Sequence, residues 1–224
     1  MLHKAIVKTM NNEQYYNADY FNWQKNMGAF GGWANLRFFQ PHISADASVI
    51  DFGCGGGYLL NNLKCKEKLG VEINDIARQT IAQFGINSHK YTAEVADNWA
   101  DVIISCHALE HVPQPLAELQ LLKTKLKKGG KIIFMVPFDT YDYRPNDVNY
   151  HLYSWSAMNL GNLFTEAGFK VISSRNLYDA WPPFYQKIAK WFGASIFRLS
   201  CKIYGWWRKN KLAQSIVIAE KIDD

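Results

Sequence analysis

The sequence predicts an α/β domain: a mostly parallel sheet with helices on both faces. Three observations carry this. Val49-Ile50-Asp51-Phe52 is a short apolar strand that runs into four glycines in five positions, Gly53-Cys54-Gly55-Gly56-Gly57, and then into an apolar helical pattern at Leu59–Leu63. Neither strand nor helix tolerates that glycine density, whereas a loop whose backbone must lie bare against a ligand does. Further apolar runs at 68–73, 101–105 and 131–136 alternate with helix-period segments, which is the pattern of parallel strands joined by crossover helices. Finally, Asp101-Val102-Ile103-Ile104-Ser105 is almost wholly apolar, as a central strand buried on both faces must be.

The elements follow in order. Residues 11–40 are rich in aromatics, with Tyr15, Tyr16, Tyr20, Phe21, Trp23, Phe30, Trp33, Phe38 and Phe39 among small and polar residues. They read as one or two helices broken near Gly31-Gly32 and ended before Pro41. After the first strand, glycine loop and helix, a second strand runs from Lys68 to an acid, Glu72. Asn74 or Asp75 caps the next helix, which runs to about Phe84 and is stopped by Gly85. A short third strand is expected over Ser88–Thr92, and a fourth over Asp101–Ser105. Pro113 and Pro115 precede a helix over Leu116–Leu126, and Gly129-Gly130 turns into a fifth strand, Lys131–Val136. A polar and aromatic loop, 137–156, leads to a helix over Ser156–Ala167 that Gly168 stops. Strands over Phe169–Asn176 and Gln214–Glu220 complete a set of seven. The implied organisation is an N-terminal helical cap (1–45), a core (46–180), a basic helical insert (181–212) and a final core strand (213–224).

At 224 residues the chain suits one ordinary core. Cys54, Cys65, Cys106 and Cys201 are scattered without a C-x-x-C pair, which argues against zinc and disulfides and for a reducing compartment. The opening Met1-Leu2-His3-Lys4 lacks the apolar core of a signal peptide, and no apolar run reaches membrane-spanning length. The expectation is a cytoplasmic protein, able to sit at the periphery of a membrane.

The glycine loop narrows the ligand. A dinucleotide fingerprint wants a small residue in its third glycine slot, where Tyr58 stands, and the Lys-Ser/Thr ending of a triphosphate loop is absent. Asp51 would repel a pyrophosphate but suits a ligand with an amino or sulfonium cation. Glu72 lies about 20 residues past Gly53, where an acid meets ribose hydroxyls. Asp51-to-Gly57, Gly70-Val71-Glu72-Ile73-Asn74, Asp101-to-Val112 and Leu126-to-Pro137 stand in order and at matching spacing. Together they resemble a class I S-adenosylmethionine-dependent methyltransferase over roughly residues 15–178.

The resemblance implies a Rossmann-like seven-stranded sheet with the last strand antiparallel. It also implies S-adenosyl-L-methionine as cofactor, with S-adenosyl-L-homocysteine as product. Asp51 and the backbone of Gly53, Gly55 and Gly57 would hold the methionine end, Glu72 the ribose and Ile73 the adenine. The adenine contact near Ala93-Glu94 lacks the family's usual acid. Ser105, Cys106 and His107, at a strand's carboxyl end, should border the methyl-transfer site. The transfer needs no metal but an acceptor hydroxyl needs a base. Histidine suits proton removal near neutral pH. His151 is the preferred base or substrate contact, His107 the second candidate, and His111 a residue that fixes a turn. Tyr153 or Asp139 could replace His151. The expected substrate is a small molecule, methylated on oxygen: a sugar or glycan intermediate, or a quinone or other lipid-linked compound. A nicotinamide-dependent oxidoreductase and an inactive cofactor-binding scaffold are the alternatives.

Between residues 180 and 212 lie seven basic residues and no acid, although the whole chain has a net charge of only +5. Basicity is therefore local, which argues against a nucleic-acid surface. Lys187, Lys190, Arg198, Lys202 and Lys209 fall on one helical face, with Phe184, Ile188, Trp191, Phe192, Leu199, Ile203 and Trp206 on another. This insert is expected to pack on its own domain, form a homodimer, or meet a membrane.

Overall fold

The computed structural model describes residues 18–139, 142–144, 147–209 and 213–222. Tyr15, Tyr16, Tyr141 and Lys211 lie outside the described residues, as do the side chains of Tyr20 and Trp23. The sheet has seven strands: β1 (Ser48–Phe52), β2 (Glu67–Val71), β3 (Asn87–His89), β4 (Ala100–Cys106), β5 (Leu126–Phe138), β6 (Phe169–Leu177) and β7 (Ala213–Lys221). Their spatial order is β3-β2-β1-β4-β5-β7-β6. β7 runs antiparallel to both β5 and β6, and the remaining pairs are parallel. The order reverses between β1 and β4, and ligands of such sheets bind beyond the strand ends at that point.

Successive residues of the central strands serve opposite faces, as the period of two requires. Ile50, Ile103, Ile132 and Phe134 join Leu119, Leu122, Leu160 and Phe164 from helices α4 (Pro115–Lys125) and α5 (Ala157–Glu166) in one core. Val49, Val102, Ile104, Ile133 and Met135 face the other way, onto Leu59 and Leu60 of α2 (Tyr58–Asn62), Ile81 of α3 (Asp75–Ala82) and Phe39. Fully burying such side chains contributes roughly 1.5–3 kcal/mol each. Asn74 is the cap of α3: its Oδ1 accepts from the N–H groups of Ile76 (2.9 Å) and Ala77 (3.1 Å).

Three local expectations shift. The third strand is shorter than expected, Asn87–His89. β5 begins at Leu126 and accommodates Lys127–Gly130 as an irregularity, since Ala100 pairs with Leu126 but Val102 with Lys131. The Gly31-Gly32 pair does not break its helix: α1 runs unbroken from Ala18 to Ala34. These glycines give close approach instead. A Cβ on Gly32 would stand 2.5 Å from the Tyr58 backbone, and one on Gly31 would stand 3.3 Å from the Trp181 ring. The last helix, α6 (Tyr185–Trp207), is kinked at Gly193. Among the described residues no helix is long and apolar enough to cross a membrane.

Candidate active site

A cavity of about 790 Å³ opens over the carboxyl ends of β1 and β4, a volume typical of small-molecule sites. Its floor is the glycine loop. A Cβ on Gly53 would lie 2.2 Å from that of Ala108, so the loop after β4 presses directly on the loop after β1. Gly55 differs. Its φ is +52°, yet a Cβ there meets nothing within 4 Å, and it lines the cavity. The bare backbone at Gly55 therefore faces open space.

Two carboxylates flank that space. Asp51 is only 2% exposed and accepts no hydrogen bond from any described residue. Burial first, and the negative Glu72 second, push its carboxyl well above the usual range. Glu72 sits just past β2, where its Oε2 accepts from the Gly55 N–H and its Oε1 from the Asn74 N–H, both at 2.8 Å. Burial raises its pKa against the opposing pull of those N–H groups. Ile73 and Lys90–Ala93 continue the wall. Ser105 does not border the cavity: it is 1% exposed and its Oγ donates to the Phe52 carbonyl at 2.8 Å, tying β4 to β1 below the floor.

A second cluster closes the opposite side. His107 has a left-handed backbone, φ +60°. Its Nε2 lies 3.0 Å from Gln214 Oε1 and its Nδ1 3.6 Å from Glu110 Oε1. Burial alone would lower its pKa, but Glu110 and Gln214 outweigh that and raise it. Both ring nitrogens thus face oxygen acceptors, which favours an imidazolium that positions rather than one that takes a proton. Glu110 is fully buried, and among the described residues neither carboxylate oxygen has a partner at hydrogen-bond distance. His111 Nε2 approaches it at 3.7 Å, and burial lowers the His111 pKa. His151 packs edge-on against His111, with ring centroids 4.9 Å apart. Its Nδ1 lies 2.6 Å from Asp139 Oδ2. A carboxylate only accepts, so Nδ1 carries the proton and Nε2 is left as an acceptor. Burial would lower the His151 pKa, but Asp139 reverses the sign and raises it. Ligand atoms of Glu110, His111 and His151 lie within 4.8 Å of one another, a spacing that a divalent cation could bridge.

The arrangement joins a cradle for a cation-bearing ligand to a carboxylate–histidine pair on the same cavity. A profile of the methyltransferase domain family matches residues 23–174. The chain belongs to that family. The matched span covers the end of the cavity built by β1, β2 and β4 and includes both candidate histidines. Among relatives, a ubiquinone biosynthesis O-methyltransferase of Colwellia psychrerythraea is 36% identical over 126 residues, 44% of this chain and 50% of that protein. The enzyme of the same name from Stutzerimonas stutzeri is 31% identical over 112 residues, 44% of this chain and 48% of that one. The chain therefore spans about half the length of the curated relatives it matches. A solved SAM-dependent methyltransferase from Archaeoglobus fulgidus shares the fold, with a TM-score of 0.65, 19% identity, and coverage of 90% of this chain and 99% of that one.

The residues of this methyltransferase domain fit S-adenosylmethionine. Asp51 is a buried carboxyl that no described residue hydrogen-bonds, which suits a ligand carrying cations, Gly55 leaves space over its backbone, and Glu72 is held against the Gly55 N–H. Gln214 and Asp139 line the same side of the cavity as the histidines. Gln214, a polar residue just ahead of the apolar run Ile216–Ala219, was the available sign of a role at the cavity; nothing local marked its meeting with His107.

Proposed function

We propose that this methyltransferase domain transfers a methyl group to an oxygen of a small, uncharged acceptor with an apolar body, of the phenol or quinol kind. The reading rests on one observation: the Asp139–His151 pair lines the same cavity as Asp51, Gly55 and Glu72. S-adenosylmethionine supplies a methyl group on sulfur that an oxygen can displace in line. Asp51 would hold the cationic end, Glu72 the ribose hydroxyls and Ile73 the adenine face. The chain must also orient the acceptor and remove its proton. His151 Nε2 takes the hydroxyl proton as the new carbon–oxygen bond forms, and Asp139 stabilises the resulting imidazolium. His107, held between Gln214 and Glu110, positions the neighbouring wall.

An uncharged acceptor fits because the acids lining the cavity, Asp51, Glu72, Glu110, Glu118, Asp139 and Asp179, outnumber its lysines, Lys25 and Lys90. That excess of carboxylates disfavours a phosphorylated sugar more than a phenol. The curated relatives are named for ubiquinone biosynthesis and O-methylation, which agrees with this choice. The test is transfer from methyl-labelled S-adenosylmethionine to a catechol with an apolar tail and to a sugar phosphate. Label on the catechol oxygen, lost in His151→Ala with binding of S-adenosylhomocysteine retained, is expected. Turnover on the sugar phosphate alone would overturn the acceptor class, and undiminished turnover in His151→Ala would overturn the base.

A further inference from the structure

α6 has two apolar faces, and the fold uses one. Phe197, Cys201 and Gly205, spaced four apart, are buried. Phe197 and Cys201 pack with Ala34 and Phe30 of α1, and a Cβ on Gly205 would stand 2.3 Å from the Tyr178 carbonyl oxygen. The helix is thereby fixed on that side. The opposite stripe faces outward. Ile196 (51%), Leu199 (57%), Ile203 (61%) and Trp206 (69%) recur at three- and four-residue steps, flanked by Trp191 (67%) and Trp207 (69%). Such side chains are rarely left together in water unless something covers them. The helix does pack on its own domain, through Phe197, Cys201 and Gly205, while Leu199, Ile203 and Trp206 of the expected apolar face stay exposed.

The charge around the stripe selects what covers it. Lys187, Lys190, Arg198, Lys202 and Lys209 are all exposed, and residues 180–212 contain no acid. A second copy docked face to face would bring these like charges together across a two-fold axis. An anionic bilayer complements them, and tryptophan is the residue that lodges at the headgroup level. With no described helix able to span, the exposed apolar stripe and flanking lysines of α6 suit a helix lying in the interface.

We infer that α6 docks this protein onto anionic lipid surfaces, its Ile196–Trp207 stripe entering the headgroup region and its lysines meeting lipid phosphates. The start of α6 adjoins the cavity. Trp181, which lines the cavity, packs against Tyr185 at the start of α6 and against Phe30 of α1. A seated α6 would bring the cavity mouth close to the bilayer, the place from which an apolar acceptor would enter. The docking itself does not depend on the identity of that acceptor.

The test is flotation of the purified protein with vesicles of phosphatidylcholine alone and of phosphatidylcholine with about one part in three phosphatidylglycerol. The anionic vesicles are expected to bind at least tenfold more protein, with release on raising salt to about 1 M. Leu199→Asp with Ile203→Asp should lose binding tenfold or more while binding S-adenosylhomocysteine unchanged, which separates lost docking from lost folding. Brominated lipid should quench the wild-type tryptophan fluorescence. Equal binding to both vesicle types, undiminished binding by the double variant, or a dimer in sedimentation that the double variant abolishes would each overturn the inference.

Discussion

Gly55→Ala tests whether the open space above the glycine loop belongs to the cofactor. Two effects are separable there. An L-residue held at φ +52° costs roughly 1–2 kcal/mol. For a chain of this size each kcal/mol lowers Tm by about 2–4 °C. The second effect is steric: the methyl group meets no protein atom within 4 Å, so it can only encroach on whatever occupies the cavity. Gly85 is the matched control. Its φ is +71°, its Cβ would also meet nothing within 4 Å, and it is exposed and absent from the cavity lining. Gly85→Ala should therefore show the same fall in Tm as Gly55→Ala. Calorimetry with S-adenosylhomocysteine should separate them: unchanged affinity for Gly85→Ala, and a loss of at least about tenfold, or about 1.4 kcal/mol, for Gly55→Ala. Equal affinity in wild type and both variants would refute the placement of the ligand over Gly55.

Asp139→Asn should lower the plateau rate of methyl transfer by roughly 10²–10⁴-fold. Because Asp139 raises the His151 pKa, its loss should move the ascending limb of the pH–rate profile to lower pH; an unmoved limb would show that another group titrates. Asp51→Asn should stabilise the ligand-free protein by roughly 1–3 kcal/mol near neutral pH, since it removes the cost of ionising a buried carboxyl that no described residue hydrogen-bonds. The folded pKa of Asp51 is raised, so its contribution is favourable at acid pH and lost as pH rises; the variant's gain in urea midpoint should accordingly vanish toward pH 4. The same variant should bind S-adenosylhomocysteine more weakly. Arg37→Ala breaks a buried ion pair with Asp179 at 2.6 Å. Leaving that carboxylate unpaired should cost about 3–5 kcal/mol, read as a lower urea midpoint.

What the sequence made legible was what lies close along the chain. β1, the glycine loop and the acid after β2 form one continuous stretch, and its ligand chemistry follows from residue type and spacing. The histidine-bearing side of the cavity and its surroundings were less legible because they are assembled from distant pieces. Asn35 Nδ2 donates to Cys106 Sγ at 3.4 Å across 71 residues, His107 meets Gln214 across 107, and Arg37 meets Asp179 across 142. No periodicity encodes such meetings. Gly31-Gly32 misled for a related reason: a local propensity to end helices was overridden by the gain from close packing against Tyr58 and Trp181. In α6 the pattern displayed two apolar faces, but only packing decides which one turns outward.

The distribution of charge ties site and surface together. The cavity holds its carboxylates where burial makes them costly, and among the described residues Asp51 has no hydrogen-bond donor to offset that cost. An arrangement that destabilises the empty protein persists where a ligand removes the penalty, and cation binding does so with selectivity, since an anion at the same place would add to it. Lys25 and Lys90 line the cavity and Arg37 pairs with Asp179 there, but among the described residues no lysine or arginine hydrogen-bonds Asp51 or Glu72. A basic partner on Asp51 would stabilise the fold and close the site to a sulfonium. The exposed lysines of α6 stand on the outer face instead. On the readings proposed above, cofactor binding and lipid docking make opposite electrostatic demands on one chain: buried acids at the strand ends serve the first, and the basic flank of α6 serves the second.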